Sequence, residues 1–356
     1  MRFRCPLLAA AALLAAAALT PEPALAGAKT HFKLAWTIYA GWMPWPYAAE
    51  HGIVKKWADK YGIVIDVVQV NDYAESINQY TAGAFDALTV TNMDALAVPA
   101  VGGVDTTAVI VGDFSNGNDA VILKDKTALS DLRGQKINLV QYSVSQYLLD
   151  RALTTAGLTE RDLTVVNTSD ADLAAAYKTR DVTAVVTWNP IVQQIMQDAS
   201  AHGVFNSSQI PGEIMDLAVV DSKTLADNPN FAKALTGAWY ETMAAMSADT
   251  AAARAARGDM GKESGTDLPG FEAQLKTTRM FYAASEAAGF TRSATLPKTM
   301  QLVRDFLFSH QLLGNDAKSA DVVGIQFPGG AVEGDAHNVK FRFTDSYMQM
   351  AADGKL

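Results

Sequence analysis

The chain has 356 residues, 49% hydrophobic and 19% charged, with 25 Gly and 12 Pro, which excludes disorder, collagen and a coiled coil. Against 29 Lys and Arg stand 38 Asp and Glu, a net charge of −9, which is the wrong sign for a general nucleic-acid binder. The single cysteine, Cys5, excludes an intramolecular disulfide, a thiolate zinc site and a CxxC redox pair.

In chain order, Arg2 and Arg4 precede an apolar run over residues 7–19, which Thr20 to Pro23 break. Ala24-Leu25-Ala26 then gives a small-x-small cleavage signal. The run is shorter than the roughly 20 residues of a spanning helix. A cleavable signal peptide over residues 1–26 is therefore expected, with export to the periplasm. Cleavage removes Cys5, two arginines and one glutamate, so the mature chain gains one net negative charge.

Beyond the leader, short apolar runs alternate with helical patterns. Strands are expected over residues 32–38, 63–70, 85–90 and 106–111, with helices over 47–61, 74–82 and 93–101 between them. A polar stretch, Gly112-Asp113-Phe114-Ser115-Asn116-Gly117-Asn118-Asp119, separates two β runs. Strands then follow over residues 136–140, 163–166 and 182–187, with helices over 144–156, 170–178 and 190–199. A β run over residues 214–220 is the natural return crossing. The remainder reads as helices over 231–248, 271–288 and 297–309, with a polar loop over 257–269. Strands alternating with helices argue for a mostly parallel α/β sheet in each of two lobes. The division expected is 27–115 with 217–356 for the first lobe and 116–216 for the second. Ligands in such folds sit at carboxyl ends of strands and at helix N-termini.

The first strand end carries Trp36, Tyr39, Trp42, Trp45 and Tyr47, five aromatics in twelve residues of a chain that is 9% aromatic. These rings suit stacking on a planar or cationic ligand, or else plug the top of the domain. Asp72 at the second strand end caps the next helix or faces the cleft. Thr91, Asn92 and Asp94 offer acceptors at the third, and Asp113 opens the crossing as a hinge acceptor or a ligand contact. In the second lobe Tyr142, Ser143 and Trp188 hold strand ends, and Glu213 and Asp216 lie on the return crossing. No Arg or Lys stands among these residues, whereas an anion calls for a bidentate Arg or a Lys. The set therefore favours a small cationic or neutral planar ligand, although bare helix N-termini also bind anions.

Residues 36–47, Gly83-Ala84-Phe85-Asp86, the 113–119 crossing and Thr187-Trp188-Asn189-Pro190 resemble the solute-binding proteins of ABC importers in the nitrate, sulfonate, taurine and thiamine-precursor family. The resemblance implies a type II periplasmic-binding-protein fold, two α/β lobes of mixed sheet flanked by helices with a double hinge crossing. It implies a monomer that captures a small solute, needs no cofactor or metal, and delivers to a permease in the inner membrane. Residues 41–47, 56–63, 71–80 and 91–96 are similar to a narrower urea-type subgroup. That subgroup is encoded beside urea carboxylase-like enzymes, which implies a urea, guanidine or guanylurea-like ligand. The alternatives are a sulfonate, taurine or nitrate ligand and, more remotely, a secreted enzyme. Against the enzyme, the five histidines are scattered and neither HExxH, GxSxG nor a P-loop occurs. Catalytic residues are therefore expected to be absent.

Overall fold

The computed structural model describes residues 29–356; the expected signal peptide and Cys5 lie outside them. Strands β1 (His31–Trp36), β2 (Val64–Gln69), β3 (Ala87–Thr91) and β4 (Thr106–Ser115) begin a first sheet. The chain then crosses to a second sheet made of β5 (Ala120–Lys124), β6 (Lys136–Leu139), β7 (Thr164–Asn167), β8 (Ala184–Thr187) and β9 (Ala201–Asn206). It returns through β10 (Met215–Asp221) and adds β11 (Thr278–Met280), β12 (Gly324–Gln326), β13 (Val332–Glu333) and β14 (Val339–Phe343) to the first. The first sheet is ordered β13-β12-β14-β4-β10-β3-β1-β2, with β11 also on β4; the second is β7-β6-β8-β5-β9. Both are mixed, because β10 and β5 run antiparallel to their neighbours on either side. Helices flank both sheets, and the molecule is a two-lobed α/β protein.

The crossings leave from adjacent strands. β4 and β10 pair antiparallel with Asp216 opposite Asp113, and Ser115 N–H donates to Ile214 O at 2.9 Å. Beyond β4, Gly117 takes φ 112°, and its N–H donates to Ser207 Oγ at 2.7 Å. The left-handed φ favours glycine where the chain leaves one lobe for the other.

Local chemistry aims strand ends and helix starts at the gap between the lobes. β3 is buried along its length, as its position between β1 and β10 requires. Asp72 caps the helix Tyr73–Thr81 by accepting from Glu75 N–H at 2.8 Å, satisfying an end-of-helix donor. Ser143 caps Val144–Ala156, which Gly157 stops at φ 66°. One buried apolar cluster runs through both lobes, from Leu34 and Val90 to Leu139 and Val186.

The structure departs from the sequence reading at β9, β12, β13 and β14, strands that were not expected, and in four further places. The helix expected over residues 47–61 is two, Pro44–Glu50 and Ile53–Lys60, divided where Gly52 adopts φ 72°. The one expected over 93–101 is a short helix, Asn92–Ala95, that widens into a π turn over Leu96–Ala100 containing Pro99, which has no N–H to donate. The expected polar loop over 257–269 begins inside a helix, Ala251–Glu263, that buries Ala253, Ala256 and Met260 on one face. Its Arg257 is held by Glu272 and by Met246 O, so the charge that suggested a loop is an anchor. The single helix expected over 271–288 is split into Leu268–Leu275 and Ala284–Thr291, because Thr278–Met280 pairs with β4 as β11.

Candidate functional site

The ends of β1, β3 and β8 meet the two crossings around a narrow, tightly closed space. Tyr39 and Trp42 follow β1, Tyr73 opens the helix after β2, and Thr91 ends β3. Val144 and Trp188 face them from the second lobe, while Asp119, Ile214 and Asp216 belong to the crossings or their ends. The rings form a chain around the space. Tyr39 meets Trp42 edge-on at 5.0 Å, Trp42 lies 5.9 Å from Tyr73, and Tyr73 meets Trp188 edge-on at 5.5 Å. Such faces suit a planar or cationic guest.

The lobes touch across the gap. Trp188 Nε1 donates to Ile38 O at 3.3 Å, and Ala40 N–H to Asn189 O at 3.4 Å. Ser169 Oγ donates to Asp72 Oδ2 at 2.6 Å, and Tyr73 N–H to Asp170 Oδ1 at 3.1 Å. The two lobes are thus closed on one another.

Four buried carboxyl groups surround the space. Asp94 is held through one oxygen: its Oδ2 accepts from Tyr73 Oη and Thr91 Oγ1, each at 2.8 Å, and from Val144 N–H at 3.3 Å. Asp113 Oδ1 accepts from Tyr39 Oη at 2.8 Å. Asp119 Oδ2 accepts from Ser115 Oγ at 2.5 Å, and its backbone N–H donates to the same Oγ at 3.1 Å. Asp216 faces Asp113 across the β4–β10 ladder, within hydrogen-bond reach of its carboxyl. Oδ2 of Asp113 and Oδ2 of Asp216 are buried and accept from no described donor. Burial dominates their acidity, because desolvation disfavours the charged form. It pushes Asp94 up to about 6 and Asp113 and Asp119 up to about 7. Asp216 is held well above the carboxylate range by burial and then by the Asp113 and Asp119 charges. The lining contains no Arg, Lys or His. Among the described residues no cluster of His, Cys, Asp and Glu is arranged to hold a metal ion.

Of the residues singled out from sequence, Tyr39, Trp42, Thr91 and Trp188 line the space, and Asp94 and Asp113 lie directly behind it. Apart from Asp216, the others stand away from it. Trp36 is buried at the end of β1, and Trp45 packs 5.1 Å from Trp239. Asp72 caps its helix and joins Ser169. Asn92 bonds Glu213 O and Met215 N–H. Tyr142 is exposed at φ 63°, and Ser143 serves Val140 O and the helix after it. Glu213 is engaged by Arg151 and by Tyr147 Oη. Asp216, named from sequence on the return crossing, also lines the space, whereas Asp119 and Tyr73 were not among the candidates. The signal for the two acids was position: each stands where a crossing joins its strand, as Asp113 does.

A family model described as NMT1/THI5 like matches residues 47–253. None of the curated proteins matches the chain. Among solved structures, the alkanesulfonate-binding protein SsuA from Xanthomonas axonopodis pv. citri, bound to MOPS, is 17% identical with a TM-score of 0.66, over 83% of this chain and 98% of that one. The periplasmic aliphatic sulphonate binding protein SsuA from Escherichia coli is 16% identical with a TM-score of 0.62, over 80% and 88%. The periplasmic nitrate-binding protein NrtA from Synechocystis PCC 6803 is 13% identical with a TM-score of 0.57, over 92% and 99%. At these identities the likeness is one of fold.

Proposed function

The chain belongs to the NMT1/THI5-like family, and on that footing we propose that it is the periplasmic solute-binding component of an ABC importer. It captures a small solute between its lobes, and lobe closure is the state that the permease reads. The solute is small, planar and rich in nitrogen, of the urea, guanidine or guanylurea kind, and the protonated members fit best. The observation that carries this reading is an unpartnered Asp216 oxygen in an aromatic-lined space with no basic side chain, with a second on Asp113 behind it. Carboxylates accept the N–H fork of a guanidinium, and rings cover its faces. No nucleophile–base pair is invoked, and the ligand leaves unchanged.

The second reading is a sulfonate, taurine or nitrate binder. It is favoured by the fold shared with proteins named for those anions, one of them bound to MOPS. An anion beside Asp119 and Asp216 requires those acids to be protonated, so its affinity falls as pH rises. Calorimetry and intrinsic tryptophan fluorescence with guanidinium, guanylurea, urea, taurine, an alkanesulfonate and nitrate separate the two. Saturable binding of a guanidinium or urea compound is expected. Tight binding of an anion with no response to those compounds overturns the nitrogen-rich reading.

A further inference from the structure

Asp113 and Asp216 stand opposite one another on antiparallel strands. Like charges in that register repel. Both side chains are nevertheless buried, 0% and 3% exposed, with one oxygen of each unpartnered. The groups packed against Asp113 supply no compensating cation. Tyr39 approaches from the turn after β1, Asp119 from the crossing, Asp216 from β10 and Tyr282 from the segment after β11. Asp216 meets Asp113, Asp119 and Tyr39. Arg257 and Arg279 reach Tyr282, but they pair with Glu272 and Glu286.

The backbone also makes room for this pair. A Cβ on Gly41 would lie 2.5 Å from Asp113 Oδ2 and 2.5 Å from the Tyr39 ring. Gly41 is therefore a positioning residue, and its bare Cα lets the Asp113 carboxyl sit against the turn that carries Tyr39 and Trp42. Of the two acids, Asp216 lines the space and Asp113 stands behind it.

The geometry points to Asp216, backed by Asp113, as the group that reads the ligand's charge: the pair shares one proton in the ligand-free protein, and a cation carrying N–H donors takes that proton's place. No covalent bond to carbon changes. The proton passes to solvent, and the positive charge lost with it is restored by the ligand. Capture is then an exchange of a proton for an organic cation. This rests on the nitrogen-rich reading above, but adds a stoichiometry that reading does not require.

The experiment titrates the full mature chain with guanidinium chloride near pH 8, above the value of about 7 to which Asp113 is pushed, in two buffers of different ionisation enthalpy, and repeats it with guanylurea. Release of about one proton per ligand bound is expected. Asp216→Asn is expected to weaken binding at least about thirtyfold and to abolish the proton release. An infrared band from a protonated carboxyl in the ligand-free wild type, lost on adding guanidinium, reports the same exchange without any variant. Binding with no proton release and no change in that band overturns the exchange and leaves the nitrogen-rich reading standing. Binding by neither compound overturns that reading and the exchange together.

Discussion

Two acids three residues apart on the return crossing are treated in opposite ways. Glu213 is met by Arg151 through Nε at 2.9 Å and Nη2 at 3.0 Å, and by Tyr147 Oη at 2.6 Å. Asp216 is met by Asp113, a second acid. A carboxylate with a bidentate arginine is charged and anchored. A buried acid facing another keeps a proton or waits for a cation. The same short stretch thus holds one acid anchored to the second lobe's helix Val144–Ala156 and one left uncompensated beside the aromatic space. The difference lies in what each acid meets across the fold.

The largest expected effect sharpens that contrast. Asp216→Asn should weaken guanidinium binding at least about thirtyfold with the fold intact, whereas Glu213→Gln should leave binding within about threefold and lower stability. Equal losses of binding, measured by calorimetry with thermal melts as the control, would erase the distinction. Next, Arg151→Met leaves Glu213 without its cation. Because the pair is partly exposed, at 28% and 14%, a stability loss of about 2 kcal/mol in denaturant unfolding is expected rather than the full cost of a buried pair. Gly41→Ala places a methyl group against Asp113 and Tyr39, and should cost about 1–2 kcal/mol while weakening guanidinium binding. An unchanged melt and affinity would show that the carboxyl pair does not depend on this turn. Trp188→Leu removes one ring of the wall and its bond to Ile38 O, and should weaken binding about tenfold.

The smallest effect is on the ligand-free protein itself. Asp113 and Asp119 titrate near 7 in the fold and near 4 when unfolded, so the folded form binds more protons between those values. The stability they contribute is complete below about pH 4 and is lost as pH rises through about 7. Ligand-free protein should therefore melt lower at pH 8 than at pH 5, with guanidinium narrowing the gap. Asp216→Asn should flatten the slope, and an unchanged slope would mean that other groups set it.

How far the site was legible from sequence follows the same division. Tyr39, Trp42, Thr91 and Trp188 were recognisable because strand ends and helix starts are local features, readable from apolar runs and caps. The pairing of Asp216 with Asp113 was not, since it depends on the register of two strands about a hundred residues apart. The Arg151 that satisfies Glu213 was invisible for the same reason. Fold class was legible through the alternation of runs, while the mixed direction of the sheets came from return strands whose sequences look like any other β run. The helix Ala251–Glu263 was missed because its charged residues hide a one-face apolar pattern, and β11 because an edge pairing overrode helical propensity.

The central claim is that the uncompensated acids select a cation. Its most direct test is the affinity of the protein for guanidinium, taurine and nitrate from about pH 5 to pH 8, by calorimetry. The account predicts saturable guanidinium binding that tightens with rising pH as the buried acids lose their protons. Binding of taurine or nitrate that tightens as pH falls, with no guanidinium signal at any pH, would contradict it.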